Sequence, residues 1–598
     1  MKRAGLAVRG RGRRVQAAGS AEAFLGVAAS ASGRRWVGPD DAMRRLAEGL
    51  AQAARLPLPL ALVLVRRGVE AGDAARFLAP ALRDLLPDPM ALRDMGPAAA
   101  RFVRAVQAGE RIAVFADYDV DGGASAALLA VWLRGMGRAA TVYVPDRIDE
   151  GYGPNVPAMA ALGAAHDLIV CVDCGTLSHG PLSAAGCDVI VLDHHQGGDT
   201  LPPAVAVVNP NRRDEGGELG HLCAAGVVFL FLVEANRRLR AAGVTGPDLM
   251  GMLDLVALAT VADVAPLVGV NRALVRQGLA VMARRARPGL VALADAARLD
   301  APPTAHSLGY VLGPRVNAGG RIGQADLGAR LLATEDPAEA EAIAARLEAF
   351  NAERRGIEAA VREAALAQAE RRGLAGPLVW AAGEGWHPGV IGIVAARLKE
   401  ATNRPAVVIA LDGEEGKGSA RSVEGVDLGA AVARLADEGL ILRGGGHRMA
   451  AGLTLARGQL APAMARLGDL LARQGAGAAG PRDLLLDGVL MPEAASVALV
   501  EQLEAAGPFG AAAPAPRFAF PDLVVTATRA IGAGHLRVTF GKGAGRLEGI
   551  AFGAVGGPLE PLLAGGKAGR VHVAGRIEIN AWNGSRRVQV RIEDAAPA

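Results

Sequence analysis

From residue 98 to about 200 the chain alternates short apolar runs with stretches of helical spacing. The runs are Ile112 to Ala116, Ala140 to Val144, Asp167 to Val172 and Asp188 to Leu192; between them lie Ala124 to Leu133, Asn155 to Leu162 and Pro181 to Ala185. Strands of about five residues alternating with helices predict a parallel sheet covered by helices on both faces. Upstream, Ala42, Leu46, Leu50 and Ala53 recur at helical spacing and Leu56 to Val69 is a second apolar stretch, which predicts a small helical cap. Downstream, Pro337 to Arg372 is rich in Ala, Glu and Arg with a single glycine, Gly356. It predicts a helix of roughly 50 Å at about 1.5 Å per residue, a strut between two lobes. A second α/β unit follows from Leu378 to about 470, then Gln474 to Pro481 has the composition of a linker. Arg482 to Ala598 holds short strand-like runs between glycine turns, the spacing of a small all-β barrel.

The expected class is α/β with an added barrel. Its regions are a basic disordered tail (1–19), an N-terminal helical cap (20–97), a catalytic parallel-sheet domain (98–275), a connecting region with a motif loop and the long helix (276–373), a second α/β lobe (374–473) and the barrel (482–598). The 598 residues, 51% of them hydrophobic and 21% charged, exclude a small disulfide scaffold and wholesale disorder. Four cysteines, Cys171, Cys174, Cys187 and Cys223, in so long a chain point to a reducing compartment, and the expected location is the cytoplasm. No run approaches the ~18 apolar residues of a membrane span, so no membrane partner is expected. Net charge is only +4, yet residues 1–14 carry Lys2, Arg3, Arg9, Arg11, Arg13 and Arg14 without an acid. They read as a solvated tail, a nucleic-acid arm or a targeting peptide.

Ligands of such sheets gather at the carboxyl ends of strands. There the sequence places Asp117, Asp119 and Asp121 after the first strand, Asp173 after Leu168 to Val172, and Asp193-His194-His195 after Val189 to Leu192; an apolar helix, Leu253 to Ala262, ends in Asp263. Three carboxylates beside an apolar strand are costly unless cations neutralise them. Alone, that motif reads equally as a metal site or an exposed acidic turn. The other strand ends tip it to metal: carboxylates with imidazole suit Mn²⁺ or Mg²⁺, and one shared Asp is how a two-metal hydrolase of phosphate esters is built.

These motifs, Asp-Tyr-Asp-Val-Asp-Gly, Val-Asp-Cys-Gly, Asp-His-His and the Asp263 helix, resemble the DHH phosphoesterase superfamily. Gly313 to Arg321, Gly385 to Gly392, Gly418 to Ser422 and Gly444 to His447 narrow the resemblance to the RecJ family of single-strand-specific 5′-to-3′ DNA exonucleases, over nearly everything from about residue 24 onward. The resemblance implies a DHH lobe and a DHH-associated lobe joined by the long helix, with a C-terminal OB-fold. It implies two Mn²⁺ or Mg²⁺ ions: Asp119 and Asp121 ligate one each, Asp173 bridges them, and His194 and Asp263 complete the second site. Asp117 supplies or orients ligands at the first, because small DHH phosphatases have histidine where this chain has Phe115. Asp193 orients its neighbours from behind, His195 contacts the scissile phosphate, and metal-activated water attacks.

Arg315, Asn317 and Arg321, in a glycine-rich loop, suit phosphate oxygens, with ordinary ion pairing as the alternative. Ser419, Arg421, Gly445 and His447 resemble the family's phosphate grip, with a plain turn as the alternative. Trp386 and His387 either stack on a base or close a core. In the barrel, Arg517, Arg529, Arg537, Lys542, Arg546, Arg576, Arg586 and Arg587 interleave with Phe518, Phe540 and Trp582. They read as cations along a strand with rings stacked on bases, or as buried rings with scattered cations. Cys174 stands where the family usually has Asn, and Ala116 often where it has Gly; Ala511 to Ala513 depart from an Asn near the proline. The expected partners are single-stranded DNA, a single-strand-binding protein and a helicase, and the expected state is a monomer. The strand is expected to thread a passage walled by strut helix and cap, too narrow for a duplex. Two rivals stand: a DHH phosphodiesterase of short oligonucleotides or cyclic dinucleotides, and a catalytically inactive strand-binding module. The first leaves barrel and cap without purpose, and the second leaves the filled ligand positions unexplained.

Overall fold

The computed structural model describes residues 22–147, 149–477, 482–532, 534–541, 545–564, 569–582 and 585–598. The basic tail from Lys2 to Arg14, Lys542 and the side chain of Trp582 lie outside the described residues. The chain divides into two compact units, one of Pro87–Ala265 with Gln277–Ala479, the other of Met1–Leu86, Pro266–Arg276 and Gly480–Ala598. Among the described residues no single helix is long and apolar enough to cross a membrane.

The first unit contains two sheets. Five parallel strands lie in the order Ala140–Tyr143, Ile112–Ala116, Leu168–Val172, Asp188–Leu192, Ala206–Val208. Ile112–Ala116 and Leu168–Val172 are buried at every position, the uninterrupted apolar pattern of a strand covered on both faces. Chain order reverses between these two strands, which makes their carboxyl ends the switch point where such sheets bind ligands. The strut helix runs Pro337–Arg372, with Asp336 capping its first turn by accepting from the Ala338 N–H. Beyond it the second sheet has the order Arg443–His447, Ala450–Ala456, Glu415–Arg421, Ala406–Asp412, Val379–Glu384; only the last pair is parallel.

Gly313 to Arg321, expected to be a loop, is the helix Gly313–Ile322, preceded by a π-helical turn over Leu308–Leu312. Its glycines serve close packing instead. A Cβ on Gly319 would lie 2.9 Å from the Gln324 carbonyl oxygen, and one on Gly320 2.7 Å from that of Tyr118.

In the second unit, Gly488–Val489 pairs with Phe518–Ile531, and the latter heads a ring of pairings through His535–Phe540, Leu547–Ala551, Ser585–Pro597 and Arg570–Trp582 back to itself. The helical cap is not a separate body. Leu50, Leu60 and Leu64 share one core with Phe518, Phe520 and Phe540, and Arg34–Val37 pairs in parallel with Arg482–Leu485. Trp36, fully buried, donates its indole N–H to Asp594 Oδ2 at 3.0 Å. The rings expected to stack on bases are here a correction: Phe518 and Phe540 are fully buried. Strand alternation turns them inward, where each buried ring is worth about 1.5–3 kcal/mol.

Candidate metal centre

Register explains why the acids converge. Ala116 pairs with Val172 and Val172 with Leu192, so Asp117, Asp173 and Asp193 follow three adjacent strand ends. Asp119 caps the helix Val120–Gly135, its carboxylate accepting from the N–H groups of Asp121 (2.8 Å) and Gly122 (3.1 Å). Only glycine fits at 122, where a Cβ would sit 2.4 Å from the Asp117 carbonyl oxygen. Asp121 is buried at the start of a second helix, Ala224–Ala241, and accepts from the N–H groups of Ala224 (2.7 Å) and Ala225 (2.8 Å). Asp173 leaves its strand at φ 60°, a left-handed conformation that costs a non-glycine residue roughly 1–3 kcal/mol and recurs at functional sites.

Two separate donor sets result, with a third, Asp173, His194 and His195, overlapping both. Asp117, Asp119 and Asp173 bring ligating atoms within 4.8 Å of one another, as do Asp121, His194 and Asp263. His194 Nε2 joins the sets, 3.2 Å from Asp173 Oδ1 and 3.7 Å from Asp121 Oδ2, with Nδ1 3.9 Å from Asp263 Oδ2. The electrostatics fit divalent cations. Burial drives the carboxyls of Asp117, Asp121, Asp173 and Asp263 upward and mutual repulsion adds to it, Asp263 to about 8. Asp117 Oδ1 and Asp173 Oδ1 are buried without a hydrogen-bond partner. Desolvated carboxylate oxygens converging on one space without hydrogen-bond donors are what a hard dication satisfies.

Behind the donors, Asp193 carries a carboxyl well below the ordinary range despite full burial, because it accepts from the His195 ring (2.8 Å), the N–H groups of His194 and His195, and that of Thr176. His195 is itself raised to about 9: burial lowers it, and Asp193 more than compensates.

A cationic group of the same unit lies near these acids, with Arg147 close enough to Asp117 and Arg321 to Asp119 for their charges to interact. Arg321 is lowered to about 10, first by burial and then by Arg147, and donates to the Gly389 carbonyl at 3.2 Å. Arg421 and His387 are also lowered by burial and by Arg147. Arg421 donates to Ser419 Oγ (3.2 Å), and the gap at Gly392 admits both side chains, 3.0 and 3.1 Å from a Cβ there. Cross-strand register puts Ser419, Gly452 and Gly445 in one row and Arg421, Ala450 and His447 in the next, so the four residues expected to grip phosphate share one face. Arg315 is turned elsewhere, paired with Glu348 of the strut helix and bonded to the Val311 carbonyl. Asn317 accepts from the Val120 N–H at 3.0 Å and so steadies the acidic turn. Trp386 lies on Gly383 against the core beneath, and His387 caps the helix Pro388–Thr402 through Nδ1.

The sequence model of the DHH family, N-terminal domain matches residues 111–260, that of the DHHA1 domain 375–473 and that of the RecJ OB domain 486–594. A single-stranded-DNA-specific exonuclease RecJ from Dickeya dadantii is 37% identical over 566 residues, covering 91% of this chain and 96% of that protein. The chain belongs to the RecJ family. The protein of that name from Escherichia coli is 36% identical over 568 residues, 91% of this chain and 96% of its own. Among solved structures, RecJ from Thermus thermophilus in complex with Mn²⁺ superposes with a TM-score of 0.77 at 32% identity, covering 94% of this chain and 79% of that one. Its complex with Mg²⁺ gives 0.71 at 29% identity, covering 94% of this chain and 78% of that one.

Against the RecJ pattern, Cys174 turns its thiol to the Val172 carbonyl (3.3 Å) and joins Cys171 in one apolar cluster. Strand alternation would have separated the two cysteines, but the strand ends at Val172. Several groups at the site were not singled out by the sequence reading. Arg147 carries no local motif. Asn209 donates to Thr176 Oγ1 and the His195 carbonyl (both 2.8 Å), and Asn211 to the His194 carbonyl (2.6 Å). The spaced asparagines of Asn209-Pro210-Asn211, just past an apolar run, were the available signal.

Proposed function

We propose that this chain is a metal-dependent exonuclease for single-stranded DNA that works from the 5′ end and releases mononucleotides, in DNA repair and recombination. One observation carries the reading: within one unit, a desolvated acidic cluster faces a half-buried group of Arg147, Arg321, Arg421 and His387. A phosphodiester needs both, cations to accept the developing charge and guanidinium forks to hold its oxygens. Two bound Mn²⁺ or Mg²⁺ ions would supply an activated water and charge neutralisation on the phosphoryl group. Asp117 and Asp119 would hold one ion and Asp121, His194 and Asp263 the other, with Asp173 within reach of both donor sets. Asp193 fixes His195 against the phosphate, Asn317 steadies the turn, and Ser419, Arg421, Gly445 and His447 line the strand's path with Arg321.

In the other unit, Arg529 and Arg537 stand opposite each other on neighbouring strands, exposed and without an acidic partner among the described residues. Such a like-charged pair is unfavourable by itself and favours a polyanion, so cations rather than rings support strand binding there. Recruitment by a single-strand-binding protein and a helicase, a monomeric state and a cytoplasmic site of action are part of the proposal; four free cysteines support a reducing compartment. The test is one gel with 5′- and 3′-labelled single strands, a duplex and a dinucleotide, each with Mn²⁺, Mg²⁺ or EDTA. Early loss of the 5′ label from single strands alone is expected; equal rates on the duplex would overturn strand specificity.

A further inference from the structure

Tyr152 sits at the tip of the loop between strand Ala140–Tyr143 and helix Val156–Ala165, flanked by Gly151 (φ 88°) and Gly153 (φ 74°), both in the left-handed region. The base of the loop is braced. Glu150 accepts from the Tyr143 hydroxyl (2.6 Å), the Asp146 N–H (2.9 Å) and Asn155 Nδ2 (3.0 Å). The tip is thereby delivered to a defined place. The phenol oxygen lies 3.2 Å from the Asp173 carbonyl oxygen and 3.2 and 3.3 Å from Nε2 and Nδ1 of His195, against the part of the ring that carries both nitrogens. The rings meet edge to face, 5.7 Å apart at 71°. Apart from Tyr152, Asp193 is the hydrogen-bond partner of the imidazole among the described residues, accepting from Nδ1 and from the His195 N–H. A tyrosine that merely filled the core would be buried to its hydroxyl. Tyr152 is the reverse, 55% exposed, with its polar end inserted and its ring in the open.

We propose that Tyr152 is a positioning residue: its hydroxyl sets the rotation of the His195 imidazole and ties that ring to the backbone of Asp173. One hydrogen bond, to Asp193, leaves an imidazole free to swing about it; a second polar contact that also reaches Nε2 removes that freedom. The same hydroxyl reaches the carbonyl of the one residue that lies between the two donor sets and has a strained φ, so it couples ring and turn. Its consequence for turnover rests on the reading of His195 as the group that meets the phosphate.

The test uses the full chain with Tyr152→Phe and Tyr152→Ala. With Mn²⁺ and a single strand, Tyr152→Phe should lower kcat about tenfold while KM and Mn²⁺ affinity stay within about twofold, the signature of lost orientation rather than lost binding. Independently, in metal-free protein labelled with ¹⁵N-histidine and assigned with His195→Gln, Tyr152→Phe should shift the ring nitrogens of His195 and leave the other histidines in place. Unchanged His195 resonances would overturn the proposal whatever the rate does, and so would wild-type kcat in Tyr152→Phe. If the wild-type chain cuts no strand at all, the exonuclease reading falls, and the resonances still decide the role of Tyr152.

Discussion

The two sheets of the larger unit solve opposite problems. The first is wholly parallel and, with the helices beside it, gathers carboxylates at its strand ends, four of which burial pushes upward: Asp117 and Asp173 after strands, Asp121 and Asp263 on helices. The second is mixed, ends in the exposed edge strand Arg443–His447, and offers cations and small residues on one face. One surface is short of positive charge and the other of negative. The helix Gly313–Ile322 touches both lobes, through Asn317 on Val120 and Arg321 on Gly389. Opposite charge on the two lobes, rather than any single motif, is what suits the unit to a polyanionic substrate.

The sharpest way to break this comparison is to disable the acidic side alone. Asp173→Ala should cut kcat at least ~10³-fold while leaving strand affinity within a few-fold, as EDTA should do reversibly. Appreciable residual turnover would remove Asp173 from the centre. On the cationic side, Arg421→Ala should cost about 10–100-fold in kcat/KM, mostly through KM, and reduce the salt slope of binding by about one. A pure kcat effect would place Arg421 on the acidic side's task instead. Stability gives a third reading. In the folded, metal-free chain Asp263 holds its proton to about pH 8, against an ordinary value of 3.8, so its contribution to stability is full below about pH 4 and is lost as pH rises through 8. The metal-free Tm should therefore fall from pH 5 to pH 8, and Mn²⁺ should raise it more at pH 8 than at pH 5. Equal shifts at both pH values would mean that the acids are not the ion's ligands. The smallest effect is expected at Gly445, where an added Cβ meets nothing within 4 Å. Gly445→Ala should leave Tm unchanged and raise KM by about twofold or less; a large rise in KM would show that backbone at this edge touches the strand.

Much of the centre was legible because its signals are local. Ile112–Ala116, Asp188–Leu192, Leu253–Ala262 and Pro337–Arg372 have the bounds that their apolar runs and composition predict. Acids at strand ends follow from strand direction, which chain order already encodes. The misreadings involve contacts. Glycines in Gly313–Ile322 looked like loop residues because their packing partners, Tyr118 and Gln324, carry no mark of it. Phe518 and Phe540 looked available because a strand's period does not say which face is inward. Arg147 was passed over because only the meeting of its loop with Arg321, Arg421 and His387 gives it company.

The order of apolar runs and the residues that end them determined the parallel sheet, the acidic donors and the length of the strut, since each depends on neighbours within a few positions. The pairing of Asp173 with His194, the support of His195 by Tyr152 and Asn209, the turning of Arg315 to Glu348 and the shared core of cap and C-terminal strands were decided by tertiary structure alone. Those contacts join segments tens to hundreds of residues apart, and side chains so distant in sequence meet only where packing brings their elements together.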